Sequence, residues 1–388
     1  MGQTRRKVTV PNRGVRLGTI LAALSMGAAI APAASELRIA RPAQPMSDRW
    51  KWVNVEPRER TLLGISFRPL QCRAQGLDPA STLRTLLMYP YPLIRLGAYW
   101  NAIEPSPGAF DTRSLDAEIE AAEEAGKQIV LAVGAVKTFG YPECFVPEHH
   151  LSVPLREGTL ITPATHPGLA AAAVDFVSRV VERYAGHPSI VAWQVEHEPV
   201  DPLGLEHSWR LSRSFVQAEV EAVRRLDPRP VIINGYLPTS LPVRVDQWWR
   251  TRDQGDSLAV GREFADILGL DVYPRHGLIH AAGRTAYLDG AARPWNQHRE
   301  LVAWAASSGK KLMVTEGQAE PWEAVTVPPS PQHQVMYSCP PDRVIENYNR
   351  WGRRQWAYLF WGADYWVLRE RQGDASYLRA FSRILSES

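Results

Sequence analysis

Two carboxylates close short apolar runs in this chain. The first run, Val191-Ala192-Trp193-Gln194-Val195-Glu196-His197-Glu198-Pro199, reads as a strand. It ends on an acid, because Pro199 has no backbone N–H to continue a ladder. The second, Lys311-Leu312-Met313-Val314-Thr315-Glu316, has the same form. Acids at two strand ends suggest paired general acid and base work. Rivals stand beside both. Glu196 falls on the same strand face as Glu198 by alternation, and Glu320 follows Glu316 in Gln318-Ala319-Glu320-Pro321-Trp322. Glu198 also reads as a cap for a following helix. Glu104, in a turn before Pro105, reads as a structural anion. His149-His150 and His276 read as loop histidines, since no third ligand falls at metal spacing, and no metal or cofactor is expected.

The elements that must position these acids alternate along the chain. Apolar runs predict strands at Thr61 to Phe67, Leu93 to Tyr99, Gln128 to Val133, Ile190 to Val195, Val231 to Gly235, Ile267 to Tyr273, Lys311 to Thr315 and Trp356 to Trp361. Helical periodicity lies between them at Ala80 to Met88, Ser114 to Ala125, Gly168 to Tyr184, Glu206 to Leu226, Pro294 to Ser308 and Val344 to Arg353, with a last helix at Ala375 to Leu385. The segment between the fifth and sixth strands has the weakest helical pattern. Strands each followed by a crossover predict an α/β fold, a (β/α)8 TIM barrel forming a single catalytic domain over 61–388. The rival is a doubly wound open sheet. It usually carries a Gly-rich phosphate turn after its first strand, and Gly64-Ile65-Ser66-Phe67-Arg68-Pro69 is not one.

In a barrel, chemistry belongs at the C-terminal strand ends, and here those ends are polar and aromatic. Three of them resemble motifs of the retaining glycoside hydrolases of clan A, the cellulase- and β-galactosidase-like (β/α)8 enzymes. Trp100-Asn101-Ala102-Ile103-Glu104-Pro105-Ser106-Pro107-Gly108-Ala109-Phe110 resembles the second-strand motif. Trp193 through Pro199 resembles the fourth-strand motif, and Val314-Thr315-Glu316 the seventh-strand nucleophile. The resemblance implies Glu198 as acid/base and Glu316 as nucleophile, with their carboxyl groups about 5–5.5 Å apart for a retaining double displacement. It implies substrate-binding roles for Arg95, Trp100, His197, Tyr273, Trp361 and Trp366. Arg95 and Tyr273 would hydrogen-bond the nucleophile and depress its pKa, and Trp361 or Trp366 would floor the sugar site. His197 departs from the clan, which places Asn before the acid to bond the sugar 2-hydroxyl; imidazole can donate the same bond. Read without the resemblance, Arg95 is equally an ion-pair partner of a barrel carboxylate and Tyr273 a core aromatic.

The expected partner is thus an oligo- or polysaccharide. A catalytically impaired carbohydrate-binding barrel, or a transglycosylase acting on envelope polysaccharide, are the alternatives. With 388 residues, 45% hydrophobic and a net charge of +3, the chain can bury a large core and gives no argument for nucleic acid. Residues 1–34 read as a signal peptide: Arg5, Arg6, Lys7, Arg13 and Arg16 precede an uncharged stretch from Leu17 to Ala34. Cleavage is expected near Ala31-Pro32-Ala33 or Ala33-Ala34-Ser35, giving a secreted or periplasmic protein without stable membrane insertion. An uncleaved N-terminal anchor is the other reading. Thr4-Arg5-Arg6-Lys7-Val8 resembles a twin-arginine signal, but the residues after it follow that pattern poorly, so Sec export stands beside it. Residues 35–60 read as a Pro/Arg-rich leader, processed or loosely packed. Cys72, Cys144 and Cys339 are too few for a disulfide framework; they leave one disulfide with one free thiol, or three buried thiols. Two long loops, Gly134 to about Pro167 and Gln318 to Pro340, are expected to set substrate breadth. Trp248-Trp249 and Trp322 fall in predicted loops and suit saccharide stacking.

Overall fold

In the computed structural model, eight parallel strands close into one barrel in consecutive order. The structure describes residues 36–41, 43–140, 144–151, 155–156, 158–201, 209–282, 284–290, 296–323 and 334–388. The candidate signal peptide lies outside the described residues. The barrel strands are Leu62–Ser66, Leu93–Gly97, Gln128–Ala132, Ile190–Gln194, Val231–Tyr236, Ile267–Val272, Lys311–Gln318 and Ala357–Trp361. They read as near-continuous apolar runs because both faces are covered, one by the helical ring and one by the barrel interior. Leu93, Val130, Ala192, Ile232, Ile267, Met313 and Leu359 form a cluster of their own. Each of these apart from Ala192, moved fully out of water, contributes about 1.5–3 kcal/mol.

Helices cover the outside where their periodicity predicts them. Pro167–Tyr184, for example, buries Leu169, Ala173, Phe176, Val177, Val180, Val181 and Tyr184. The weakly patterned stretch after the fifth strand holds two helices, Leu241–Thr251 and Ser257–Phe264. The first carries Trp248 and Trp249, so these sit on a helix and not in a loop. The chain after the sixth strand adds an antiparallel hairpin, Arg275–Ala281 with Arg284–Asp289, which no sequence signal announced.

The segment before the barrel is not a loose leader. Leu37–Ala40 pairs antiparallel with Arg284–Asp289, and Ala43–Pro45 pairs with Gln334–Met336. Trp50 is buried, and Arg383 donates to the Trp50 and Val53 carbonyls. Its Pro and Arg content hid this, because the partners lie some 250 to 300 residues away in sequence. All three cysteines are free and buried. Among the described residues, no helix is long and apolar enough to cross a membrane.

Candidate active site

Glu316 does not terminate its strand, as the sequence suggested; the seventh strand continues to Gln318. Its register slips against both neighbours, between Leu270 and Asp271 on one side and between Val314 and Gly317 on the other. Such irregularities re-aim side chains at barrel rims. Gly317 permits the slip: a Cβ there would lie 2.1 Å from the Tyr358 hydroxyl. The Glu316 carboxylate accepts from Arg95 Nη2 at 2.6 Å on Oε1 and from the Tyr273 hydroxyl at 2.5 Å on Oε2. Arg95 is itself held by Gln194 Oε1 at 3.2 Å. The expected depression of the Glu316 pKa is not what results. Burial outweighs the pull of Arg95 and Tyr273, and the group titrates above the ordinary carboxylate range. Arg95 and Tyr273 therefore offset a desolvation penalty and do not create a strong acid.

The other acid lies on a strained turn. Glu196 and Glu198 both adopt positive φ, 57° and 42°, conformations a non-glycine residue rarely holds. The neighbouring loop holds the turn in place. His197 N–H donates to the Lys137 carbonyl at 2.6 Å, and Lys137 Nζ donates to the Glu198 carbonyl at 2.6 Å and the Asp201 carbonyl at 3.1 Å. These contacts supply the local energy, of order 1–3 kcal/mol per residue, that such conformations cost. The result points Glu196 and Glu198 to different partners. Glu196 is buried and accepts from the backbone N–H groups of Val136 and Lys137 at 2.9 and 2.5 Å. It also shares a hydrogen bond with the buried Glu219, and burial holds both carboxyls above their ordinary range. Glu198 is only half-buried. It reaches Asp271, and the described residues that directly follow it, Pro199 to Asp201, are not helical.

His197 sits between the two acids. Its Nδ1 lies 2.9 Å from Asn234 Nδ2 and 3.5 Å from Glu316 Oε1. Asn234 Oδ1 accepts from the Glu198 backbone N–H at 3.3 Å and from Gln194 Nε2 at 3.1 Å. Its Nδ2 also donates to Asp271 Oδ2 at 2.6 Å, and Thr315 Oγ1 donates to Asp271 Oδ1 at 2.7 Å. Burial, then the positive charges of Arg95 and Lys137, hold His197 well below its ordinary pKa, so it is neutral near pH 7. Asp271 is pushed well up, by burial first and by Glu316 next. Sequence reasoning assigned no role to Asn234, Asp271 or Gln194. All three are polar side chains inside barrel strands otherwise made of aliphatic, aromatic and glycine residues, and that contrast was the available signal.

Of the aromatic candidates, the fold brings Tyr273 and Trp361 to this mouth and withdraws two others. Trp361 packs with Phe139 and Ala132, with Tyr273 against them. The Arg68 and Arg95 guanidiniums lie 4.4 and 5.5 Å from the Trp361 ring centre. Trp322, one-third exposed, packs on Tyr273 with centroids 4.9 Å apart. Trp100 and Trp366 are both fully buried and leave no surface for a sugar. Trp100 stacks on Phe176 and donates its indole N–H to Glu104 Oε2 at 2.7 Å. Trp366 lies on the helix Ala363–Arg371 and donates to the Ala319 carbonyl. Glu320 is tied to Arg68 through both carboxylate oxygens, at 2.5 and 2.6 Å, which occupies it as an ion-pair partner. Of the two long loops, the first buries Phe139 and Phe145 against Tyr99, while Tyr141 lies outside the described residues.

Comparison with known proteins agrees with this architecture. Residues 91–218 match the family model described as beta-galactosidase (Glyco_hydro_42). That span holds the Trp100–Phe110 motif and Glu198. Beta-galactosidase bgaB of Geobacillus kaustophilus is 32% identical over 115 residues, covering 27% of this chain and 17% of that protein. This chain therefore answers to about a sixth of the relative's length. BgaB of Geobacillus sp. (strain Y412MC61) aligns to the same extent. Among solved structures, GH5_18 from Streptomyces cattleya in complex with GlcNAc superposes with a TM-score of 0.53 at 13% identity, over 84% of this chain and 81% of that one. Xylanase 10B from Thermotoga petrophila RKU-1 superposes with a TM-score of 0.47 at 13% identity, over 80% of this chain and 86% of that one. The barrel, its strand order and the family-model match agree with the resemblance to clan A (β/α)8 glycoside hydrolases.

Proposed function

We propose that this chain is a retaining β-glycosidase in which Glu316 is the nucleophile and Glu198 the acid/base. One observation supports this reading above the others. Two carboxyls, one just past the fourth strand and one inside the seventh, meet around Asp271 in unlike settings: Glu316 is buried and gripped by a cation and a phenol, Glu198 is half-open. Unlike environments are what separate an attacking carboxylate from a proton donor.

In the first step a Glu316 oxygen attacks the anomeric carbon, the glycosidic C–O bond breaks, and Glu198 passes its proton to the departing oxygen. In the second, Glu198 takes a proton from water, the water oxygen bonds the anomeric carbon, and Glu316 leaves as carboxylate. The charge on Glu316 is regained in front of Arg95 and Tyr273, which are already in place. Asp271, held well above its ordinary range by burial and by the nearby Glu316, sets a buried carboxyl in hydrogen-bond contact with Glu198. His197, whose Nδ1 accepts from Asn234, offers an Nε2–H for a sugar hydroxyl, the task an Asn amide has in clan A. Trp361 and Trp322 are the aromatic faces at the mouth for pyranose C–H surfaces.

The substrates are β-linked oligo- or polysaccharides, and the basic-then-apolar N-terminus supports export from the cytoplasm. Aryl β-glycosides of the galacto, gluco, manno and xylo series, read for release rate and product anomer, test the activity. First-formed β product is expected, and inversion, or inactivity on every sugar, overturns the reading. N-terminal sequencing of the protein recovered outside the cytoplasm tests export; a chain still starting at Met1 and found only inside counts against it.

A further inference from the structure

We propose that Glu104, His149 and His150 form a binding site for a divalent transition-metal ion, with zinc the best-fitting class. The proposed glycosidase chemistry uses none of the three. The sequence spacing offered two histidines and no third ligand; the fold supplies it from another loop. His149 Nε2 and His150 Nε2 lie 3.2 and 3.1 Å from the same carboxylate oxygen, Glu104 Oε1, and all three donor atoms lie within 4.8 Å of one another. Zinc bonded to imidazole nitrogen and carboxylate oxygen at about 2.0–2.2 Å separates tetrahedral donors by about 3.3 Å. Two of the three edges already have nearly that length.

The carboxylate is aimed at this role. Its other oxygen is taken by the Trp100 indole N–H at 2.7 Å, which fixes the group and turns Oε1 toward the imidazoles. Trp100 is in turn packed between His150, at 4.7 Å, and Phe176, at 5.4 Å. The histidines occupy a single tight turn, Glu148–His150, with ring centres 4.4 Å apart. One shared divalent ion satisfies all three groups. Glu104 is almost wholly buried, while the two histidine side chains keep about a fifth of their surface open. Glu104 and His149 also line a cavity with Asn101, Ser106 and Glu148, which gives an ion a way in and water a fourth position. Three protein ligands and one open position match the His₂Glu arrangement of zinc sites.

Such an ion joins the loop after the second strand to the loop after the third. Backbone contact between them is already present, with Asn101 N–H donating to the Phe145 carbonyl at 2.9 Å. The ion would therefore act as a clip on loops walling the barrel mouth.

The test uses the full chain, stripped with a chelator and titrated with zinc chloride against a chromophoric indicator, then with cobalt(II) followed by its visible spectrum. One zinc per chain is expected, with the intense absorption of tetrahedral cobalt(II) and a rise in melting temperature on metal addition. H149A and H150A should each weaken binding by at least about tenfold, and the double variant should lose the cobalt spectrum. E104Q is a poorer probe because it also releases Trp100. Binding of much less than one ion per chain, an octahedral cobalt spectrum, or one-to-one binding that survives in a folded H149A/H150A double variant overturns the proposal.

Discussion

Asn234 fixes the tautomer of His197. The Glu198 backbone N–H is an unambiguous donor 3.3 Å from one end of the Asn234 amide, so that end is the oxygen. The other end is then the NH₂, and it faces His197 Nδ1 at 2.9 Å. The ring must accept there and carry its proton on Nε2. The 3.5 Å approach of Nδ1 to Glu316 Oε1 is accordingly not a hydrogen bond.

This assignment predicts that N234D cripples the enzyme more than H197N does. A carboxylate at 234 cannot donate to Nδ1 or to Asp271, and it adds a buried negative charge. Expected losses in kcat/KM are ~100-fold or more for N234D and about tenfold or less for H197N, with H197A near ~100-fold. Steady-state kinetics on an aryl β-glycoside measure all three. Equal activity in N234D and the parent would show that the amide does not control the ring.

Removal of either reacting carboxyl should be far more severe. E198Q and E316Q are each expected to lower kcat by ~10³-fold or more, and azide should rescue E198A with formation of a β-glycosyl azide. E196Q keeps its place among the Val136 and Lys137 amides and should cost much less. Near-parental turnover in E198Q with collapse in E196Q would reverse the assignment.

The pH profile follows from the burial of Glu316. Its pKa is already raised, and a nucleophile must be ionised, so activity is lost as pH falls through that raised value. Taking away the Arg95 charge raises it further, and R95Q should move the acid limb of kcat/KM upward by about 1–3 pH units. His197, held neutral, should add no limb near its ordinary value of about 6.5. An acid limb that stays in place in R95Q would mean another group sets it.

Stability carries a separate signature from Glu196 and Glu219. Their folded pKa values exceed the unfolded value of about 4.3, so the native state holds extra protons in the window above it, and stability falls as pH rises there. In E219Q an amide can donate to Glu196 and still accept from Ala135, with no proton to lose. Urea unfolding should find E219Q close to the parent at pH 4 and about 1–2 kcal/mol more stable at pH 8. A loss of stability at pH 8 would refute the shared-proton account.

The N-terminal segment is testable by one residue. Trp50 is buried against the body of the protein, and W50A should cost about 3 kcal/mol. A change under 0.5 kcal/mol would return the segment to the status of a loose leader.

The barrel was legible because its strands are apolar on both faces, a pattern that survives without knowledge of partners. Glu198 and Glu316 were legible because an acid ending such a run stands out. The helix Ala363–Arg371 was not, since it buries Asp364 and Arg369 along with its apolar residues and so shows no polar face. That is why Trp366 was expected at a sugar site and lies in the core. The Asn234 to His197 contact and the Glu196 to Glu219 pair were hidden for another reason: each joins elements whose proximity only the closed barrel creates. Net burial of Glu316 was equally invisible, because two hydrogen-bond donors could be named from sequence but the depth of the site could not.

Gly134 lies two residues past the third strand, where the chain packs against the acid-bearing turn; a Cβ there would lie 2.0 Å from the Glu196 backbone nitrogen. In a mutational scan this position should behave as though it were catalytic, intolerant even of alanine, although it contributes no side chain at all. Selection on such a residue acts through the shape of the Glu196–Glu198 turn. A genetic screen for loss of function would thus recover Gly134 alongside Glu198, and only a structure would tell the two kinds of hit apart.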